Sequence, residues 1–551
     1  MKRLSLLITV SLVPFNPLLA AEGVGIVEPL ATPRPSSTAT LPLKIPSIET
    51  SRAPALSQQS KIFVRRIILE GNTAFTDEEL ASITRPYIER ELSAEDLRQL
   101  RHELTLYYID HGYINSGAVL PEQNVMNGEL KINIIEGRLT TIQWEGLEHL
   151  RETYLSGRIE KHTENEPLNI KTLQNDLQLI QQNPLIQRIN AELTPGMRPG
   201  EAMLRARVAE ANPWYVTLGT NNQGVPSVGA ERFETWAGHR NVLGFGDAFD
   251  GHFNVSAGQN AFDLNYSLPF TRWDTRLKLG YQSSEADVVE EAFAELNIFN
   301  QMEAYSLGIS QPVWQTLEDE ATLSVMVERR NSQTFLLGAP MAFSKGCDDG
   351  KCDVSVVRLS QDWLHRTSSQ VLAFRSTTSW GLNALGATIH DDQPTLPDSR
   401  FFAWLGQAQW IQRLGDTGTE LHLRGYAQLS DAPLLSLEQF ALGGRNSIRG
   451  YRENQWVRDN GFSSSIEFRI PVLGDGLIKL APFFDMGRAW SLDGSNQKQH
   501  VLNSAGIGLL FDPTPQIHSE LFWAHAMRTI KNNSQDLQDD GIHFAVTYSP
   551  L

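Results

Sequence analysis

From Trp214 to the end of the chain, apolar and polar residues alternate with a period of two. In "LHLRGYAQL" (421–429), Leu421, Leu423, Gly425, Ala427 and Leu429 share one face, and His422, Arg424, Tyr426 and Gln428 share the other. "RLKLGYQ" sets Leu277, Leu279 and Tyr281 against Arg276, Lys278 and Gln282, and "GIHFAVTYS" aligns Ile542, Phe544, Val546 and Tyr548. Successive side chains of a strand point to opposite faces, so these segments predict strands. An apolar, aromatic face opposite a polar one fits a barrel with lipid outside and a wet lumen. A soluble sandwich alternates too, but its polar face meets bulk water. At about 20 residues per strand and connection, residues 213–551 predict a transmembrane antiparallel β-barrel of about 16 strands.

Upstream the period changes. Two units share one plan, offset by 75 or 76 residues. The first opens with a strand in "FVRRIILEGNTAF", ending at Glu70-Gly71, and the second with "LTTIQWEGL", ending at Glu145-Gly146. Helical spacing follows in each: Leu92, Leu97, Leu100 and Leu104 with Ser93 as N-cap, then Leu168, Leu173 and Ile180 with Asn169 as N-cap. Each unit closes with a strand, "ELKINIIEG" (129–137) and "AMLRARVAE" (202–210). A repeat at this period predicts a duplicated α+β domain, over 61–137 and 138–211.

The N-terminus adds an address. Lys2 and Arg3 precede a short apolar run, Leu4 to Val13, and small residues near Ala20-Ala21 offer a cleavage site. This predicts a signal peptide over 1–20, because Pro14 and Pro17 interrupt the run and it is too short to span a bilayer. Residues 21–60 are rich in Pro, Ser and Thr and predict a linker. No later stretch of about 18 apolar residues predicts a membrane helix. The net charge of −17 and the absence of a Lys/Arg run argue against nucleic acid as a partner. The two cysteines, Cys347 and Cys352 in "KGCDDGKCDV", predict a local disulfide in an oxidising compartment.

Candidate chemistry is sparse. Gly350-Lys351 lacks the lead of a phosphate-binding loop, and the 13 histidines are scattered. No catalytic residue, metal site or cofactor is expected, and the chain is not expected to be an enzyme. The conspicuous group is Arg449 in "FALGGRNSIRGYREN". Arg424-Gly425-Tyr426 repeats its tripeptide mid-strand, where Arg424 reads as a lumen residue. Arg449-Gly450-Tyr451 follows Gly443-Gly444 and Asn446-Ser447, which break the alternation and predict a loop around 440–456. In "LIKLAPFFDMGRAW" alternation turns Ile478, Leu480, Phe484 and Met486 to lipid, and Lys479, Phe483, Asp485 and Gly487 to the lumen. A lumen carboxylate suits the planar fork of a loop arginine. Asp485 is one partner for Arg449, and Glu467, inward by alternation in "SSSIEFRIPV", is a rival.

The order of parts resembles the two-partner secretion transporters, the outer-membrane exporters of haemolysins and adhesins, within the superfamily of barrels with polypeptide-transport-associated (POTRA) domains. The residues that carry the resemblance are "IILEGNTAF" (67–75), "GHRNVLGFGDAF" (238–249), "LNYSLPF" (264–270), "FALGGRNSIRGYREN" (440–454) and "APFFDMGRAW" (481–490). It covers nearly everything after residue 60. It implies two periplasmic POTRA domains, a 16-strand barrel in the bacterial outer membrane, and a long loop folded into the lumen. It also implies that the loop arginine contacts a Phe-x-Asp segment on a late strand: by position Arg449, Gly450 and Tyr451 on the loop, Phe483 and Asp485 on the wall.

The implied function is capture of an unfolded secreted partner polypeptide by the POTRA domains and its passage through the barrel without ATP. Outer-membrane lipid and the barrel assembly machinery are the other implied partners. Members of the family often carry a plug helix before the first POTRA domain, whereas 22–60 shows no helical periodicity. Outer-membrane barrels commonly end in Phe, whereas this chain ends in Leu551. The competing readings are an insertase of the same superfamily, a passive porin with periplasmic binding modules, and a surface hydrolase on a barrel.

Overall fold

The computed structural model describes residues 61–550, except 126, 165, 394, 475, 493–499 and 533–534. The signal peptide expected over 1–20, the linker over 21–60 and Leu551 lie outside the described residues. These residues form two compact units, 61–211 and 212–550.

The first unit holds two α/β domains. In the first, β1 (Ile62–Val64) pairs with β3 (Arg90–Leu92), and β2 (Arg66–Glu70), β5 (Glu129–Ile135) and β4 (Gly117–Val119) make a three-stranded sheet in that order. Helices α1 (Asp77–Thr84) and α2 (Ala94–Asp110) pack on it, burying Leu80, Leu100, Leu104 and Tyr108 against Leu130 and Ile132. Each such apolar side chain contributes roughly 1.5–3 kcal/mol through removal from water. Ser93 caps α2: its Oγ accepts from the Asp96 N–H (3.2 Å), and the Asp96 carboxylate accepts from the Ser93 N–H (2.7 Å). The sequence pattern missed the first helix of each domain: α1, whose eight residues span barely two turns, and its counterpart over Glu152–Thr163.

The second domain repeats the plan with β6 (Arg138–Glu145), α3 (Glu152–Thr163), α4 (Ile170–Gln181), β7 (Ile186–Pro195) and β8 (Glu201–Glu210), the sheet running β6-β8-β7. Asn169 caps α4, its Oδ1 accepting from the Lys171 N–H at 2.9 Å. The duplication reaches individual contacts. Gly71 and Gly146 both have positive φ (91° and 82°), and each packs its Cα against a carbonyl of the closing strand, Ile134 and Val208, leaving no room for a Cβ. Glu136 then gathers the N–H groups of Thr73 (2.7 Å) and Ala74 (2.8 Å), and Glu210 those of Glu148 (2.9 Å) and Leu150 (3.0 Å).

The second unit is a closed antiparallel barrel. Its strands are β9 (Trp214–Asn221), β10 (Arg232–His239), β11 (Ala248–Ser256), β12 (Gln259–Pro269), β13 (Arg276–Asp287), β14 (Ile298–Gln315) and β15 (Asp319–Leu336). A two-residue β16 (Ala339–Pro340) folds back on β15, and β17 (Lys351–Arg366), β18 (Gln370–Gly381), β19 (Phe402–Leu414) and β20 (Thr419–Ser430) follow. The next connection contains a short hairpin, β21 (Phe440–Leu442) and β22 (Trp456–Arg458). Then come β23 (Asn460–Leu473), β24 (Ile478–Trp490), β25 (His500–Thr514), β26 (Ile517–Ala526) and β27 (Ile542–Tyr548). β27 pairs back onto β9, which closes the wall. Without β16 and the hairpin, sixteen strands make the barrel.

Alternation divides the two faces. Leu307, Ile309, Val325, Leu521 and Trp523 are about half exposed on the outside, while Asn300, Ser332, Gln407 and Gln409 are buried on the inside. Phe484 and Met486 face out and Phe483 and Asp485 face in. Trp214, Trp273 and Trp314 stand exposed at the end where the chain enters from residue 213, as in an interfacial aromatic girdle. Connections at that end are tight (367–369, 415–418), whereas the opposite end carries long ones (337–350, 382–401, 431–459). Cys347 and Cys352 form a disulfide at the long end. Among the described residues, no helix is long and apolar enough to cross a membrane.

Candidate functional site: the lumen loop and its anchors

The connection between β20 and β23 is longer than the sequence pattern predicts: it spans 431–459 rather than 440–456. Its stem is the hairpin β21–β22, with Phe440 opposite Arg458 and Leu442 opposite Trp456. Phe440, Leu442 and Ile448 are fully buried. Gly487 on β24 makes space for this packing, since a Cβ there would lie 2.7 Å from Leu442 Cδ1 and 3.1 Å from Ile448 Cδ1.

Arg449 sits at the tip of the loop and has no exposed surface. Its Nε donates to Asp485 Oδ2 and its Nη2 to Asp485 Oδ1, both at 2.8 Å, in the two-pronged geometry of a guanidinium on a carboxylate. Its backbone N–H also donates to Asp485 Oδ2 (3.1 Å). Nη1 donates to Glu467 Oε2 (2.5 Å), and Nη2 to Ser465 Oγ (3.0 Å). The guanidinium lies 3.4 Å from the centroid of Phe483 and 4.9 Å from that of Phe522. Alternation left Asp485 and Glu467 as rivals; the structure brings both to Arg449. Two carboxylates around one guanidinium leave an excess negative charge, and Arg469 answers it by donating to Glu467 Oε1 (2.7 Å).

The neighbours of Arg449 are held as firmly. The Gly450 N–H donates to His543 Nε2 (3.0 Å). Gly450 has φ +87°, and a Cβ would lie 2.9 Å from that of Ala524, so a side chain is excluded twice over. Tyr451 donates its O–H to the Asn503 carbonyl (3.0 Å) and accepts from the Arg528 N–H (3.1 Å). The decoy Arg424 stands on the lumen face of β20, in register with Ser465, which is in turn in register with Asp485.

Sequence reasoning missed three further anchors. Arg445 grips Glu520 with two hydrogen bonds (2.9 and 2.8 Å) and lies 4.2 Å over Phe522. Arg452 grips Asp539 (2.8 and 2.7 Å) and reaches Glu290 (3.0 Å). At the loop's start the polarity reverses: Glu438 of the loop is held by Arg358 of the wall (2.7 and 3.0 Å). Glu520 had a readable signal, a carboxylate alternating with Leu521 and Trp523. Asp539 and Glu290 lie in connections, where no periodicity assigns a direction.

The assembled site is a barrel whose lumen holds a folded loop, fixed by buried charge pairs to several wall strands and by partly exposed ones to two other connections. A barrel of this width would otherwise be an open channel. Buried ion pairs resist breaking singly, because each broken pair strands a charge. Such an arrangement can occlude a pore and, if the pairs exchange together, release it.

Comparison with known proteins agrees with this architecture. The family model described as haemolysin secretion/activation protein ShlB/FhaC/HecB matches residues 200–511, and a POTRA domain model of ShlB type matches residues 62–137. The outer membrane transporter CdiB of Dickeya dadantii (strain 3937) is 25% identical over 428 residues, covering 75% of this chain and 74% of that protein. The hemolysin transporter protein ShlB of Serratia marcescens is 25% identical over 424 residues, covering 74% and 72%. The solved structure of CdiB from Escherichia coli is similar in fold, with a TM-score of 0.67 at 20% identity over 93% of this chain and 94% of that one. The chain belongs to the haemolysin secretion/activation family, and is an outer-membrane barrel of two-partner secretion with periplasmic POTRA domains.

Proposed function

We propose that this chain carries an unfolded secreted partner polypeptide of the haemolysin type through its barrel lumen, and that the loop around Arg449 occludes the pore until the partner arrives. The observation that carries the reading is the buried Arg449–Asp485–Glu467 cluster, which ties a loop to the inner wall of a closed sixteen-strand barrel. A passive porin gains nothing from such a fastening. In this reading the POTRA sheets receive an extended segment of the partner by strand addition at an exposed edge. The loop then rearranges, and the segment passes outward. Folding of the partner outside the cell supplies the direction, since a folded product cannot slide back.

The chain performs no chemistry in this reading and acts as a conduit rather than an enzyme. The apolar outer belt meets outer-membrane lipid, and the barrel assembly machinery inserts it. The test is export of a large secreted protein encoded beside this chain, in a strain lacking the chain and complemented with it. Export that depends on the complementing copy supports the reading. Export without it favours the porin or the insertase.

A further inference from the structure

The barrel closes where β27 meets β9, and this seam is short. Register pairing runs from Ala545 to Tyr548 against Asn221 to Leu218, with one further backbone bond from the Asn222 N–H to the Phe544 carbonyl (3.3 Å), whereas the next pair, β9 with β10, is joined along the whole of Trp214–Asn221. Ile542 and Phe544 therefore lie beyond the end of β9. Asn222 stands in for the missing strand. Its Oδ1 accepts from the Phe544 N–H and its Nδ2 donates to the Ile542 carbonyl, both at 2.8 Å. One side-chain amide thus satisfies the donor and the acceptor that a strand residue would have satisfied.

A second buried amide holds Asn222 from behind. Gln538, in the connection between β26 and β27, donates through Nε2 to the carbonyls of Asn222 (2.7 Å) and Gly224 (2.8 Å). Its Oε1 accepts from the N–H of Glu453, two residues beyond Tyr451 in the lumen loop (2.7 Å). The next residue, Asp539, holds Arg452. Asn222 and Gln538 have no exposed surface. From the last connection of the barrel, the Gln538 amide thus spends its donors on the segment after β9 and its acceptor on the loop that fills the lumen.

We propose that Gln538 and Asn222 are positioning residues that join the lumen loop to the barrel seam, so that the loop's hold on the lumen and the closure of the wall rise and fall together. The function this serves is closure at rest: while the loop is seated, the short seam is clasped, and the empty barrel is shut both along its lumen and toward the bilayer. The inference concerns the closed barrel and stands apart from the identity of the exported protein, so its failure would leave the export reading untouched.

The test is the intact protein in planar lipid bilayers, with mean conductance reporting the loop and the temperature at which the folded barrel converts to the unfolded band reporting the seam. Asn222→Ala is the decisive variant, because the hydrogen bonds of the Asn222 side chain go to β27. It is expected to lower the conversion temperature and to raise mean conductance severalfold. A disulfide across the seam, Thr220→Cys with Val546→Cys, joins residues paired in register and both exposed. It is expected to return the conductance of Asn222→Ala toward the wild-type level. A weakened seam with wild-type conductance would overturn the proposal. If Asn222→Ala does not fold, Gln538→Glu decides. It keeps an acceptor for the Glu453 N–H but turns an oxygen on the carbonyls of Asn222 and Gly224. A severalfold rise in conductance supports the joint, and wild-type conductance overturns it.

Discussion

Asp485 holds Arg449 by its backbone as well as its side chain: the main-chain N–H, Nε and Nη2 all donate to one carboxylate, at 3.1, 2.8 and 2.8 Å. The carboxylate therefore fixes where the loop tip lies and which way its guanidinium points. A lysine has neither the fork nor the reach to bind Asp485 twice and Glu467 once. Arg449→Lys is expected to behave much like Arg449→Ala, with export reduced at least about tenfold in either variant and surface level preserved. Each leaves a buried carboxylate short of partners, a loss of about 3–5 kcal/mol at the loop. Export assays normalised to surface level check this.

Phe522 couples two of the anchors, since Arg445 and Arg449 lie over the same ring at 4.2 and 4.9 Å. Groups that share a partner are not independent. Arg445→Ala alone is expected to raise mean conductance, and Arg445→Ala with Arg449→Ala to raise it by less than the two single effects combined. Phe522→Leu, which leaves both carboxylates in place, should loosen both anchors, at about 0.5–2 kcal/mol for each lost ring contact. Single-channel recordings of wild type and the four variants check the order.

Asp176 in α4 is nearly fully buried, and its carboxylate receives His162 Nδ1 at 2.9 and 3.1 Å. Burial pushes its pKa up to about 6, with the His162 contact opposing. A carboxyl with a raised folded-state pKa binds its proton more tightly when folded. It favours the fold below the ordinary carboxylate range, and that contribution is lost as pH rises through about 6. Local stability around α4 is expected to fall by roughly 1–3 kcal/mol between pH 4 and 7 on this account. Asp176→Asn should flatten that slope. Amide exchange in α4 of the intact protein checks it.

The Cys347–Cys352 disulfide closes a very short loop at the long-connection end. Cross-linking so few residues limits the unfolded chain by only about 2 kcal/mol. Cys347→Ser with Cys352→Ser is expected to sensitise residues 337–350 to added protease while leaving export near the wild-type level. Proteolysis of intact cells together with the export assay checks both halves.

The barrel was readable because a two-residue period with lipid on one side leaves each strand's apolar face in the sequence, as Leu421 to Leu429 and Ile542 to Tyr548 show. Strand faces also carry direction, so alternation alone places Asp485 and Glu467 inward. Connections have no such period. That is why 431–459 read as a shorter loop, and why Asp539, Glu290 and Gln538, which hold its far side, left no signal. The duplicated domains were readable from two N-caps and two glycines. Helices α1 and α3 were not: eight residues hardly establish a helical period, and α3 has no side-chain N-cap to mark its start. The choice between Asp485 and Glu467 was a false one: alternation places residues singly and cannot show that a guanidinium has donors enough for both.

The most direct test of the account compares export of the neighbouring secreted protein by wild type and by Arg449→Ala, each complementing a strain that lacks the chain, at equal surface level. The account expects the partner in the medium with wild type and at least a tenfold loss with Arg449→Ala, at roughly 1.4 kcal/mol per tenfold. Equal export by the two would contradict it, because the lumen loop would then have no part in passage through the barrel.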